Sequence, residues 1–122
     1  TKGTFSLHAA VLTAAHAMGL TEEYMAELKE SRPAMLSAME NMVPRIPLDA
    51  GRWLGEMNEI AATFEEACVT SKFHEGAADI MELAHRTPIS SETRETVDTS
   101  RTLVEALDMY VAARQALKGA VD

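Results

Sequence analysis

Apolar residues recur along this chain at spacings of three and four, and strict alternation of apolar and polar positions is absent, so the pattern predicts helices and no strands. Ala, Met, Leu and Glu, all good helix formers, dominate. About six helices are expected, an all-α fold. The first runs from near Thr1 to Met18 and stops at Gly19, a suitable left-handed C′ residue. The second starts at Thr21, with Glu22 and Glu23 complementing its N-terminal dipole, and ends near Glu30. Pro33 suits the first turn of the third, which carries Met35, Leu36, Met39 and Met42 inward and stops before Pro44. Arg45 to Leu48 reads as a turn held by two prolines. Asp49 reads as the N-cap of the fourth helix, which extends to about Cys68 with Trp53, Met57, Ile60, Phe64 and Cys68 as its apolar stripe. Thr70 or Ser71 caps the fifth, which turns Phe73, Ala77, Ile80, Met81 and Ala84 inward and ends before Pro88. A polar loop follows from Ile89 to Thr96. The sixth helix, from about Asp98, has Leu103, Val104, Leu107, Val111 and Leu117 on its core face and ends at Gly119.

The first helix changes this picture. From Gly3 to Leu20 there is no Asp, Glu, Lys or Arg. A membrane span needs roughly 20 predominantly apolar residues, and this run is short, rich in Ala and interrupted by Thr4, Ser6, His8, Thr13 and His16, so it reads as a buried helix. A helix that is apolar or small on every side must be covered on every side. Five short helices can hardly wrap it, so a second body, another subunit or a further domain, is expected against it. Ala9, Ala10, Ala14, Ala15 and Ala17 permit close backbone approach.

Composition narrows the classes. The chain has 122 residues, enough for one domain with a single core, and no internal repeat or linker divides it. Its formal net charge of -8 disfavours nucleic acid and anionic membrane surfaces as partners. Cys68 is the sole cysteine, which excludes an internal disulfide and points to the cytoplasm.

Few residues carry candidate chemistry. There is no glycine-rich nucleotide motif and no Cys-x-x-Cys pair, and His74-Glu75 fails the His-Glu-x-x-His test because Ala78 stands at the fifth position. His8 and His16 share a helix face but have no third ligand, so no metal is expected. Arg52, Glu56, Glu59, Thr63 and Glu66 form a polar stripe opposite Trp53. Glu56 and Glu59 are like charges one turn apart, and Arg52, four before Glu56, can offset them. Lys2 is the one full charge near the uncharged helix, placed to contact an anion at a domain boundary.

Four segments occur in order: Thr1-Lys2-Gly3-Thr4, Ser31-Arg32-Pro33, Arg52-Trp53-Leu54-Gly55-Glu56-Met57-Asn58-Glu59-Ile60-Ala61-Ala62-Thr63-Phe64, and Phe73-His74. Together they resemble the C-terminal helical domain of NAD(P)-dependent oxidoreductases related to 6-phosphogluconate dehydrogenase and the β-hydroxyacid dehydrogenases, over roughly Thr1 to Arg86. The resemblance implies an upstream Rossmann domain that binds NAD or NADP, a helical domain that closes over a small anionic substrate, and a homodimer. It places the catalytic lysine about two turns before Lys2, upstream of Thr1, so no catalytic residue is assigned in this chain. It also implies substrate-binding roles for Lys2 and Thr1, with Arg52, Trp53, Glu56 and Glu59 lining or supporting the cleft. Two departures point to a divergent substrate. The family's Lys-Asp pair on the later helix is replaced by Glu56-Met57-Asn58-Glu59, and its Gly-Leu-Pro after that helix by Cys68-Val69-Thr70. The alternative from another class is a stand-alone helical interaction module that buries its first helix in a dimer or partner and catalyses nothing.

Overall fold

In the computed structural model the expected helices are α1 (Lys2–Ala17), α2 (Thr21–Ser31), α3 (Pro33–Met42), α4 (Ile46–Glu66), α5 (Lys72–His85) and α6 (Leu103–Val121), with 3-10 turns at Val43–Arg45 and Pro88–Ser91. The structure describes residues 1–114 and follows α6 as far as Val121. The expected core contact of Leu117 lies outside the described residues, and α6 runs past Gly119, where it was expected to stop. Among the described residues there is no strand, and no helix is long and apolar enough to cross a membrane.

The ends of the helices follow local chemistry. Gly19 takes φ 73°, donates to the His16 carbonyl at 3.1 Å, and lets Leu20 N–H donate to the Ala15 carbonyl at 2.8 Å. This double return satisfies carbonyls that the end of α1 would otherwise leave open. The end of α4 repeats the geometry with a cysteine. Cys68 adopts φ 61° and donates to Glu65 O at 3.0 Å, while Val69 N–H donates to Phe64 O at 2.9 Å. Cys68 is therefore exposed on a corner and not, as its spacing suggested, the last rung of the apolar stripe.

α4 starts earlier than expected. The segment read as a proline turn ending at Leu48 is already its first turn, because a proline among the first helical residues sacrifices no intrahelical hydrogen bond. Arg45 is the N-cap, Pro47 sits in the first turn, and Asp49 lies inside the helix without capping it. α6, by contrast, starts later, at Leu103.

α4 and α5 pack side by side as an antiparallel hairpin, and α1 touches every other α-helix. The core holds Leu12 of α1, Met39 of α3, Ile46 and Met57 of α4, Met81 of α5, and Leu107 and Tyr110 of α6, all fully buried. Each such side chain contributes about 1.5–3 kcal/mol by leaving water. Tyr110 Oη also donates to the Val43 carbonyl at 2.7 Å, pinning α6 to the first 3-10 turn. Burial pushes the Tyr110 phenol far above its ordinary range, so it remains a donor.

Two further residues expected in the core face solvent. Val104 is exposed because α6 turns Leu103, Ala106, Leu107 and Tyr110 inward. Phe73, at the start of α5, is 76% exposed, since the buried face of that helix begins at Ala77.

Candidate functional site: the corner of α1, α4 and α5

The first turn of α1 lies against both helices of the α4–α5 hairpin. Toward α4, Lys2 Nζ donates to both carboxylate oxygens of Glu56, at 3.0 and 2.9 Å, and stands 5.2 Å from the Trp53 ring centroid. One turn on, the Phe5 ring lies 6.5 Å from that of Trp53, centroid to centroid. Trp53 is buried, and its Nε1–H meets no acceptor among the described residues. Toward α5, Gly3 faces the His74 ring. A Cβ at Gly3 would lie 3.2 Å from His74 Nε2, so a side chain there would push the ring away. That ring also packs on Phe64 at 4.7 Å, and its Nδ1 is buried without a partner among the described residues.

This geometry separates the sequence-predicted residues. Lys2, Trp53 and Glu56 converge, although Lys2 and Glu56 are 54 positions apart, whereas Thr1 lines the groove between α1 and α5. Lys2 is not the lone cation it appeared to be along the chain, since its ammonium is paired. Arg52 and Glu59 stay outside the pair. Arg52, expected to offset Glu56, turns instead to Asp49 at 3.1 Å, where Arg94 joins at 3.3 Å. Glu59 is exposed one turn beyond Glu56. The pair itself is partly wet, with side-chain exposures of 36% for Lys2 and 42% for Glu56. Phe5 was missed, although its position three after Lys2 puts it on the same helix face.

Beside the pair, a groove of about 590 Å³ runs between α1 and α5. Leu7, Ala10, Phe73, His74, Ala77 and Ile80 line it, and Thr1 and Gly3, which flank Lys2, close one end. Among the described residues on its walls, Lys72 alone carries a full charge on its side chain. The groove continues the open face of α1. Ser6, Ala9, Leu12, Thr13 and Ala15 are buried, whereas Leu7 is 62% and Met18 67% exposed. Five helices thus leave one uncharged side of α1 uncovered, in keeping with the expectation from its composition.

The histidines of α1 are engaged differently. His16 bonds to Thr21 Oγ1 through Nδ1 at 2.7 Å and to Asp108 Oδ1 through Nε2 at 2.6 Å, tying the end of α1 to α2 and α6. His8 is partly buried, and desolvation lowers its pKa. Among the described residues, no group of three or more His, Cys, Asp or Glu is placed to hold a metal ion.

The fold and this corner define an all-α domain with a cation–carboxylate pair set over an indole and an open apolar groove beside it. The chain belongs to the family described as Domain of unknown function (DUF1932), which matches residues 15–84, more than half of its length. That stretch contains Trp53, Glu56 and His74, while Thr1 and Lys2 precede it. No curated protein and no solved structure gives a significant match.

Proposed function

We propose that this chain is the substrate-closing and dimerising domain of an NAD(P)-dependent dehydrogenase that acts on a small hydroxyacid. The observation that carries the reading is the convergence of Lys2 with Trp53 and Glu56. Residues from two segments that resemble the 6-phosphogluconate dehydrogenase-related oxidoreductases meet at one solvent-open corner. The full protein would transfer a hydride between the nicotinamide and the hydroxyl-bearing carbon of the substrate. This chain carries no glycine-rich phosphate loop and, among its described residues, no strand of the kind a dinucleotide-binding sheet needs. The reading assigns NAD or NADP, and the lysine that handles the hydroxyl proton, to a domain upstream of Thr1.

Here the chain's own residues bind and orient. Lys2 holds the substrate carboxylate, Thr1 lies beside it, and Trp53 walls the corner. The open face of α1 supports the same reading, because a domain that closes over substrate and pairs with a second subunit must leave apolar surface for both contacts. Replacing Lys2 by Ala in the full-length protein raises KM for the hydroxyacid about tenfold or more and lowers kcat less, since a substrate-anchoring contact is lost. Unchanged kinetics would remove Lys2 from the site.

The same open face favours a second reading, an interaction module that catalyses nothing. The two part on one measurement, titration of the full-length protein with NADH and NADPH. Saturable binding supports the dehydrogenase, and its absence leaves the module.

A further inference from the structure

The partners of Lys2 narrow the class of substrate. A bare carboxylate approaching Lys2 must take the ammonium from Glu56, which already holds it through both oxygens at 2.9 and 3.0 Å. It then sits beside the displaced Glu56 carboxylate, with Glu59 of the same sign one turn away. Arg52, one turn before Glu56, is paired with Asp49 and not with Glu56. The Trp53 ring under Lys2 presents a negative π face, which favours cations and repels anions. Around its single available cation, this corner therefore prefers positive charge.

A molecule with both charges avoids the conflict. Its carboxylate takes Lys2 while its ammonium takes Glu56, so two ion pairs replace one and no carboxylate is stranded. The pair is open to solvent and can part at little cost. We infer that the ligand of the Lys2–Glu56 corner is a small zwitterion, an amino-hydroxyacid carrying its ammonium within reach of its carboxylate, and that Glu56 is the residue that selects it. The inference deepens the dehydrogenase reading by naming the substrate class, but the binding it describes can be tested without turnover.

Trp53 is the only tryptophan of the chain and lies under the pair, so its fluorescence reports occupancy. Three probes share one hydroxyl-bearing skeleton: DL-serine carries both charges, 3-hydroxypropanoate only the negative one, and 2-aminoethanol only the positive one. The full-length protein is titrated with each, as wild type, Glu56→Gln and Lys2→Met. Serine is expected to bind about tenfold tighter than either singly charged probe. Glu56→Gln is expected to abolish that advantage over 3-hydroxypropanoate, and Lys2→Met the advantage over 2-aminoethanol. The inference is overturned if 3-hydroxypropanoate binds as tightly as serine, if Glu56→Gln tightens 3-hydroxypropanoate and leaves serine unchanged, or if serine gives no saturable change. NAD(P)-dependent turnover of the same probes by the full-length protein separates the two claims. Zwitterion binding without turnover sinks the dehydrogenase reading alone, and turnover of 3-hydroxypropanoate in preference to serine sinks the zwitterion alone.

Discussion

Among the described residues, two doubly hydrogen-bonded ion pairs join separate parts of the chain, and their surroundings give them different work. Arg101 donates to Glu92 at 3.1 and 2.6 Å across the loop that leads into α6, and the arginine side chain is only 8% exposed. Lys2 grips Glu56 just as closely, but both partners remain more than a third in water. Removing one partner of the more sheltered pair leaves the other with less water to take its place. Removing one partner of the wet pair strands nothing, because solvent takes its place. The Glu92–Arg101 pair therefore belongs to folding, and the Lys2–Glu56 pair is free to exchange partners with a ligand.

The comparison is most easily broken at the sheltered pair. Glu92→Ala is expected to lower the unfolding free energy by about 2 kcal/mol, read from urea melts. The acid limb of the stability profile carries the same signature. The hydrogen bonds from Arg101 hold the Glu92 carboxyl below its ordinary range, and Ser100 does the same for Asp98. A carboxyl whose pKa falls on folding contributes stability that is complete above its unfolded value and is lost as pH falls through the folded one. Stability should thus decline below about pH 4, and that decline should be shallower in Glu92→Ala. A variant with wild-type stability and an unchanged acid limb would show that the pair contributes nothing.

A second contrast sharpens the first. Gly19 and Cys68 close two helices with the same left-handed geometry, but only the glycine adopts it without a steric penalty. Cys68→Gly should raise stability by about 0.5–1 kcal/mol, seen as a higher Tm, because the exposed thiol has no packing to lose. A lower Tm would mean that the side chain holds the corner in place.

The smallest effect belongs to the wet pair. Lys2→Ala should change stability by less than about 0.5 kcal/mol in the same melts. A loss near that of Glu92→Ala would make Lys2–Glu56 a structural staple and weaken the case for a ligand there.

Much of the fold is legible along the chain because its signals are local. Gly19 and Pro33 mark boundaries through their own backbone preferences, and the spacing of Leu36, Met39, Trp53, Met57 and Met81 marks buried faces. The misreadings fall where two local rules compete. Pro47 signals a turn and a helix start equally well, and only packing chose the second. Phe73 and Cys68 fit an apolar period but lie at helix ends, beyond the neighbours that would have covered them. The candidate site was legible as residue types and not as an arrangement. Periodicity gave Glu56 and Glu59 equal standing, yet only Glu56 meets α1.

By itself, then, the sequence determined the helical class, most helix boundaries, the uncharged character of α1 and membership of its family, since each depends on residues close together in the chain. Tertiary structure alone decided that Lys2 is paired, that Arg52 serves Asp49, that Tyr110 anchors α6, and which side of α1 stays open. Those outcomes depend on which charge or surface the fold brings closest, across sequence distances such as the 54 positions between Lys2 and Glu56. A Coulombic or packing contact is set by separation in space, and spacing along the chain does not encode it.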